Sequence, residues 1–185
     1  MVAAVRQAAE ELLEEVGYEG LILTEVATRA NVNKTTVYRR WPTKVDLVTD
    51  LFLSLTADQD IGRDTGSLVG DLTALIHDIV GNVNNPAARA VLSVVIGGVL
   101  DEETRSARAA FWAERFSRGG SIVDRAVARG ELPAGTDARL LLEDACSPAY
   151  FRLLISGEAL PDADIDLFAR RAAGRAQGLP GQGPQ

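Results

Sequence analysis

The sequence is poor in the residues that build disulfides, metal sites and nucleophilic active sites. Its 185 residues include one cysteine, Cys146, and one histidine, His77. A single thiol excludes an internal disulfide and a cysteine-based zinc site, and a single imidazole excludes a site built on paired histidines. No glycine-rich phosphate loop follows a predicted strand, because no strand is predicted. We therefore expect no metal, no cofactor and no enzymatic activity.

Long apolar runs are also missing. No stretch approaches the roughly 20 apolar residues that a membrane-spanning helix requires. Residues 1–15 are short of apolar length and rich in glutamate, which argues against a signal peptide. The expected location is therefore the cytoplasm, with no membrane partner.

Positive charge is scarce overall and concentrated in one place. The formal net charge is −7 and the sequence pI is about 4.8, which argues against indiscriminate coating of nucleic acid. Residues 27–44, the basic segment, nevertheless contain no acidic residue. Their cations are Arg29, Lys34, Arg39, Arg40 and Lys44. A local cation cluster on an acidic chain indicates one specific surface for DNA.

Short helices and tight turns are predicted around the basic segment. Apolar residues at spacings of three and four predict a helix over residues 2–16, followed by Gly17 where a left-handed cap belongs. A second helix is predicted over residues 23–30. Asn31 lies at the turn that follows, because asparagine tolerates a positive φ better than most residues.

The third helix, predicted over residues 34–41, carries most of the cations. Asn33 is placed to cap this helix by accepting a hydrogen bond from an amide of its first turn. Pro42 ends it. The segment 43–46 has the threonine and aspartate of a capping box and opens a fourth helix over residues 43–57.

Beyond residue 57 the sequence predicts a larger helical domain. The polar, glycine-containing segment 58–66 separates a domain at residues 1–57 from one at 67–177. Further helices are predicted over residues 67–83, 86–100, 102–130 with a kink or split at Gly119-Gly120, 137–157 with a kink at Pro148, and 162–177. Residues 178–185 are expected to be disordered. The predicted fold class is all-α, with about nine helices and a fourth helix that joins the two domains.

The basic segment and the residues before it resemble the DNA-binding domain of the tetracycline-repressor (TetR) family. The resemblance rests on the dense run VNKTTVYRRWPTK at residues 32–44, with Thr-Val-Tyr followed six residues after the tyrosine by lysine. It covers about residues 2–55, whereas residues 67–175 resemble the family's ligand-binding and dimerisation domain in architecture and length. The resemblance implies a dimeric, all-helical transcription regulator, usually a repressor released from its operator by a small molecule.

Three positions depart from the family pattern. Asn31 stands where glycine is usual, which its tolerance of positive φ allows. Ile22 stands where a threonine often caps the second helix, and its side chain cannot accept an amide. That helix is therefore expected to begin later, with Thr24 as its cap. The chain starts directly in its first helix, so no basic arm is expected to enter a minor groove.

The expected DNA contacts lie on the third helix and at the starts of its neighbours. They are Thr24, Lys34, Thr35, Thr36, Tyr38, Arg39, Arg40 and Lys44. Side chains near the start of a helix in the major groove reach base edges, so Lys34 and the two threonines after it are the candidates for base contacts. The remaining residues suit phosphates, with a guanine also possible for the two arginines. Trp41 is expected to fill the space between the third and fourth helices.

The larger domain offers candidates for an effector site. They are His77, Phe111, Trp112, Phe116, Cys146 and Tyr150. A receptor pocket is mostly apolar with few polar groups, but the same residues would also suit a helical core, and both readings remain open. The last two helices carry surplus apolar surface and small alanines, which predicts a homodimer through a four-helix interface. The alternative is a helix buried within one subunit.

Together these features predict a ligand-responsive transcriptional repressor. It would bind a pseudo-palindromic DNA operator as a homodimer and be released by a small apolar molecule. The alternative is an activator or architectural DNA-binding protein that has no ligand.

Overall fold

The computed structural model describes residues 1–55, 62–85, 88–89, 92 and 102–178, except the side chains of residues 103, 104 and 107. These residues form eight α-helices and no strand, which confirms the all-α prediction. The helices are α1 (Val2–Gly20), α2 (Leu23–Arg29), α3 (Lys34–Arg40), α4 (Lys44–Leu55), α5 (Leu68–Asn84), α6 (Glu102–Ala128), α7 (Ala138–Tyr150) and α8 (Asp162–Gly178). A π-helical segment, Phe151–Ser156, directly follows α7.

The chain divides into two compact units. The first comprises Met1–Asp58 and Asn82–Phe111, and the second comprises Gln59–Gly81 and Trp112–Gln185. The helix predicted over residues 86–100 and the tail predicted after residue 178 lie mostly outside the described residues. Within the described ranges, no helix has the length and apolarity needed to cross a membrane.

The core of the first unit is formed by the inward faces of α1 to α4. Its buried residues are Val5, Ala8, Ala9, Leu12, Leu13, Leu23, Val26, Ala27, Val37, Leu47, Val48, Leu51 and Phe52. Gly17 interrupts α1 with a φ of 68°, so the regular part of α1 ends at residue 16, as the sequence predicts.

Helix α2 starts at residue 23, as the predicted range 23–30 has it, and not later, as the missing threonine cap led us to expect. The N-cap is Ile22, whose backbone is extended and whose side chain caps nothing, and the helix begins at Leu23. The carbonyl of Ile22 accepts the amides of Glu25 at 3.0 Å and Val26 at 3.1 Å. Leu23 is buried, which anchors the first turn in the core. The expectation that Thr24 caps a later helix start was therefore wrong.

In the second unit, a buried carboxylate joins α5 to α6. Asp71 is 0% exposed. Its carboxylate accepts Arg125 Nη2 at 3.3 Å and Arg129 Nη2 at 3.1 Å. The amide and hydroxyl of Thr65 both donate to Asp71 at 2.7 Å. Desolvation raises the pKa of Asp71, but the bonds from Thr65 and the two arginines outweigh it and leave the pKa below its ordinary value.

Helix α6 is continuous through Gly119-Gly120, so of the predicted kink or split the split was wrong. The reason lies in packing against α7. A Cβ atom added to Gly119 would lie 2.8 Å from Leu142 Cδ1, closer than such atoms approach. Gly119 therefore allows α6 and α7 to approach closely, rather than ending a helix.

Helix α7 is bounded as the sequence predicts, but it does not stay α-helical. Asp137 caps it by accepting the Leu140 amide at 3.1 Å, and Gly157 ends the whole segment with a φ of 71°. Pro148 lies within α7 and has no amide hydrogen to donate. The π-helical segment begins three residues later. No feature of the sequence predicts it, and such segments are rare.

The last helix packs through its alanines. Ala169, Ala172, Ala173 and Ala176 are each at most 6% exposed. Two ion pairs accompany this packing. Arg175 of α8 lies 3.1 Å from Asp144 of α7, and Asp164 of α8 lies 2.9 Å from Arg152 of the π-helical segment. The alanines are therefore buried within the chain itself.

Candidate nucleic-acid interface and effector site

Helices α2 and α3 form a helix-turn-helix whose turn is held by two asparagines. Asn31 has a φ of 53°, the positive value that the sequence predicts. Asn33 is the N-cap of α3, and its Oδ1 accepts the Thr35 amide at 2.9 Å. The amide of Val32 donates to the Ala27 carbonyl at 2.9 Å. The predicted roles of both asparagines are confirmed.

The end of α3 is fixed by a tryptophan and a capping box. Trp41 is 3% exposed, and its side chain hydrogen-bonds Asp50 of α4, which confirms that it packs between the two helices. The amide and hydroxyl of Thr43 donate to Asp46 Oδ2 at 3.1 and 2.9 Å. The Asp46 amide donates back to Thr43 Oγ1 at 3.2 Å. This reciprocal pair is the predicted capping box.

Helix α3 buries one residue and exposes most of the others. Val37 is 0% exposed and faces the core. Thr36 is half-buried, and Tyr38 is 42% exposed. The other predicted contacts on α3 and α2 are also exposed: Lys34, Thr35, Arg39, Arg40 and Thr24. One side of α3 thus carries cations and hydroxyl groups that a DNA duplex can reach.

Two cations of the basic segment are held by protein groups. Arg29 forms a forked ion pair with Glu15, with N–O distances of 2.6 and 2.8 Å. Lys44 Nζ donates to the Tyr18 carbonyl at 3.2 Å and lies 4.2 Å from the centroid of the Tyr18 ring. An ammonium group has three N–H donors, so this bond leaves Lys44 able to bind a phosphate as well.

A positioning network that the sequence does not reveal lies behind α3. Arg6 Nε and Nη2 donate to the two carboxylate oxygens of Asp50, each at 2.9 Å. Asp50 also accepts the Trp41 side chain. Desolvation raises the pKa of Asp50, but hydrogen bonds from Arg6 and Trp41 and the nearby positive charges outweigh it and lower the pKa. The network links α1, the end of α3 and α4.

Four of the six predicted effector residues belong to the second unit at the α6–α7 contact. The Trp112 and Tyr150 rings meet edge to face, with centroids 5.5 Å apart at 85°. The Trp112 and Phe116 rings are 6.1 Å apart at 31°. Cys146 lies one turn before Tyr150 on α7, and all four residues are half-buried.

The structure places the other two predicted effector residues differently. Phe111 belongs to the first unit, where it is 1% exposed and its ring lies 5.0 Å from that of Phe52. This environment matches the core-filling reading. His77 is exposed on α5.

Arg115 lies within the same part of the second unit, although nothing in the sequence marks it. It is 8% exposed and hydrogen-bonds the Tyr150 side chain. Burial raises the pKa of Tyr150 to about 12 and that of Cys146 to about 12, and in both cases the Arg115 charge partly opposes the rise. The sequence does not predict the burial of Arg115, because it is one of several arginines on α6 and resembles a surface residue.

The helix-turn-helix and the helical second unit define a helix-turn-helix transcription regulator. Residues 5–51 match the family of bacterial regulatory proteins called tetR, and residues 63–172 match the tetracyclin repressor-like C-terminal domain. The chain therefore belongs to the TetR family of transcriptional regulators, as the resemblance predicts, and its relatives are regulators rather than enzymes.

Individual relatives agree with this assignment. The HTH-type transcriptional regulator YdeS of Bacillus subtilis is 28% identical, over 88% of this chain and 82% of its own length. The DNA-binding transcriptional repressor TetR of Mycobacteroides abscessus is 30% identical, over 88% of this chain and 86% of its own. The crystal structure of the TetR family regulator SCO0332 superposes with a TM-score of 0.79 at 27% identity, covering 93% and 96% of the two chains.

Proposed function

We propose that the protein is a transcriptional repressor that binds a pseudo-palindromic operator as a homodimer and is released by a small apolar molecule. The observation that carries the proposal is the outward face of α3. Val37 alone is buried there, while cations and hydroxyl groups lie on the exposed side. A relative of similar length is named a DNA-binding repressor, which supports repression over activation.

The proposed DNA contacts divide by their position on α3. Lys34, Thr35 and Thr36 at its start read base edges in the major groove. Tyr38, Arg39 and Arg40 bind phosphates or, for the arginines, a guanine. Lys44 and Thr24 bind phosphates beside the starts of α4 and α2.

The proposed homodimer uses apolar side chains of the last two helices and the π-helical segment. These three elements expose four large apolar residues: Leu140 at 46%, Phe151 at 56%, Ile155 at 65% and Leu167 at 40%. Apolar side chains left exposed on these consecutive elements support a protein partner. A two-fold interface would present two α3 helices to half-sites about one DNA turn apart, roughly 34–36 Å.

The proposed effector acts by binding one conformation of the dimer better than another. Its differential affinity determines how far operator binding falls. The candidates that line its site are Trp112, Phe116, Cys146 and Tyr150, with His77 and Phe111 as the remaining sequence-based candidates. The alternative function, an activator or architectural DNA-binding protein without a ligand, predicts that no small molecule binds.

The salt dependence of DNA affinity tests the phosphate contacts. A duplex selected from a random library is titrated against the protein at several salt concentrations. Removing one phosphate contact from each subunit of a dimer, as in Arg39→Met, reduces the slope of log affinity against log salt by about 2. The matched control is Arg29→Met, whose guanidinium is paired with Glu15 and should leave the slope unchanged.

Two further measurements complete the test. Tyr38→Phe and Lys44→Ala should weaken binding to every duplex similarly, since phosphate contacts carry no sequence information. Calorimetric titration against a metabolite panel separates a ligand-responsive repressor from a pure DNA binder, which would show no ligand heat. The proposal fails if no duplex binds better than random DNA and these substitutions change nothing.

A further inference from the structure

We propose that Tyr18 is a positioning residue for DNA binding. Its carbonyl and the face of its ring hold the Lys44 ammonium at the start of α4, where the ammonium binds a phosphate of the DNA backbone. This inference rests on the proposed function, because it assumes that Lys44 contacts DNA. It adds a residue of α1 to a surface otherwise formed by α2, α3 and the start of α4.

The contact between Tyr18 and Lys44 has two parts. Lys44 Nζ donates to the Tyr18 carbonyl at 3.2 Å, and the same nitrogen lies 4.2 Å from the centroid of the Tyr18 ring. An ammonium within about 6 Å of a ring centroid is attracted by the negative face of the ring. Both residues are half-buried, so the contact is partly shielded from water. The lysine is therefore held at two points by one residue of α1.

Gly17 creates the backbone shape that presents Tyr18. Its φ of 68° and ψ of −178° belong to a region that is essentially restricted to glycine, and they end the regular part of α1. The Tyr18 carbonyl accepts the Leu21 amide at 3.1 Å as well as Lys44 Nζ. A carbonyl oxygen has two lone pairs, so it can accept both donors. The break in α1 thus lets a backbone carbonyl hold a side chain of α4.

The position of Lys44 within α4 is the second observation. Lys44 is the first residue of this helix, where the positive end of the helix dipole disfavours a cation. The partial negative charges of the Tyr18 carbonyl and ring face offset this repulsion in the free protein. A phosphate would be attracted both by the ammonium and by the start of the helix. The position is therefore unfavourable for an isolated lysine and favourable for one that meets an anion.

Lys44 and Arg29 are held in different ways. Arg29 is paired with the carboxylate of Glu15, at 2.6 and 2.8 Å, so its charge is compensated. Lys44 is held by a carbonyl and a ring face, neither of which is an anion, and the bond to Tyr18 uses one of its three N–H groups. Its charge therefore remains available to DNA. Holding the lysine in advance also reduces the side-chain entropy that binding would cost.

A purely structural role is the competing explanation. The contact would then tie the end of α1 to α4, and its loss would weaken the fold without acting through Lys44 on DNA. A double-mutant cycle separates the two roles, because a positioning residue loses its effect on DNA binding once Lys44 is replaced.

The cycle measures the affinity for a duplex selected from a random library. Tyr18→Leu removes the ring but keeps the carbonyl. In the wild-type background it should weaken binding about tenfold for a dimer, since the loss of each cation–π contact corresponds to about two- to fivefold. In the Lys44→Met background, which keeps an apolar stem but loses the ammonium, the same change should alter the affinity by less than about twofold.

Two variants serve as controls for the cycle. Tyr18→Phe keeps both the ring and the carbonyl, so its affinity should lie within about twofold of the wild-type value. Val16 lies at the same end of α1 and is 49% exposed. Val16→Ala should therefore change the affinity by less than about twofold. Circular dichroism verifies that each variant is folded.

The lysine resonances give a second measurement, which is made on the wild type and decides if Tyr18→Leu does not fold. The chain has only two lysines, Lys34 and Lys44. With lysine-selective ¹³C labelling, the ε-methylene protons of Lys44 should resonate upfield of those of Lys34, because Lys44 Nζ lies over the Tyr18 ring. Lys44→Met identifies the signal by removing it. The upfield position should persist when the selected duplex is bound, since Lys44 binds the phosphate without leaving Tyr18.

The inference is overturned if Tyr18→Leu weakens binding equally in both backgrounds, or in neither. It is equally overturned if the Lys44 signal loses its upfield position in the DNA complex, or if Lys44→Met leaves the slope of log affinity against log salt unchanged instead of reducing it by about 2. These results would leave the proposed function intact as long as the selected duplex binds better than random DNA. The absence of any preferred duplex would instead overturn the proposed function, and the inference with it.

Discussion

Replacing Asp50 by asparagine tests whether the network behind α3 positions the DNA-binding surface. The Asp50→Asn variant keeps the size of the side chain and an oxygen that can accept the Trp41 side chain. It loses the negative charge that Arg6 contacts through two bonds of 2.9 Å. We expect a less stable first unit and weaker operator binding, because Trp41 directly follows α3.

The exposure of the Arg6–Asp50 pair determines how large a loss in the free energy of unfolding we expect. The side chains of Arg6 and Asp50 are 29% and 26% exposed, so the pair is neither a surface pair nor a fully buried one. Surface pairs contribute up to about 1 kcal/mol, and breaking a buried pair costs about 3–5 kcal/mol. Two aligned bonds at intermediate exposure therefore correspond to a loss of about 1.5 kcal/mol in the free energy of unfolding.

The pH dependence of this loss has a definite sign. The pKa of Asp50 is lower in the folded protein than its ordinary value. Desolvation raises it, but the hydrogen bonds from Arg6 and Trp41 and the charges of Arg6 and Arg40 outweigh desolvation. The stabilisation is therefore present above the unfolded carboxyl pKa of about 3.9, and it is lost as the pH falls through the lower folded value. The difference between wild type and Asp50→Asn should be constant from about pH 5 to 8 and shrink below about pH 4.

Urea denaturation at several pH values, followed by tryptophan fluorescence, measures the effect. The matched control is Asp166→Asn, which breaks a pair with Arg170 whose side chains are 44% and 65% exposed, so it should destabilise the protein much less than Asp50→Asn. Operator titration of the folded variants at neutral pH gives the functional readout. If Asp50→Asn is no more destabilising than the control, or if its effect persists unchanged at pH 3, the network does not stabilise α3 as argued.

Two further substitutions test the local geometry, and both are measured by urea denaturation. Asn33→Ala removes the oxygen that accepts the Thr35 amide and should lower the free energy of unfolding by about 1 kcal/mol. Asn33→Asp keeps an acceptor and should retain most of the stability of the wild type. An alanine variant as stable as the wild type would contradict the cap. Gly119→Ala should lower the free energy of unfolding by about 1–2 kcal/mol, because its Cβ meets Leu142. Gly120→Ala, where the added Cβ meets nothing within 4 Å, should raise it by up to about 1 kcal/mol. If both substitutions change the stability in the same direction, the close packing of α6 and α7 is contradicted.

The features that the sequence predicts correctly in the first unit are local ones. The positive φ of Asn31, the cap by Asn33 and the capping box of Thr43 each depend on residues within three positions of one another. The start of α2 is not local, because burial of Leu23 begins the helix without a side-chain cap. Tertiary burial outweighs a missing hydrogen bond at that position, which is why Thr24 does not act as the cap.

The second unit is less predictable because its decisive contacts join distant residues. Gly119 has the appearance of a helix breaker in the sequence, but Leu142, 23 positions later, explains it as a packing position. Arg115 resembles any surface arginine until α7 covers it with Tyr150. Helical periodicity identifies the elements of this unit, whereas the composition of its site depends on which faces meet.

The same distinction applies to the cations of the basic segment. The basic segment contains five cations, but Arg29 is paired with Glu15, and Lys44 donates a hydrogen bond to the Tyr18 carbonyl. If only the two arginines of α3 are cations that contact phosphates, a dimer makes four such contacts, and the slope of log affinity against log salt is about −4. If Lys44 also binds a phosphate while keeping Tyr18, a dimer makes six, and the slope is about −5. The slope of the wild type, compared with that of Lys44→Ala, therefore shows whether Lys44 only stabilises the fold or also binds a DNA phosphate.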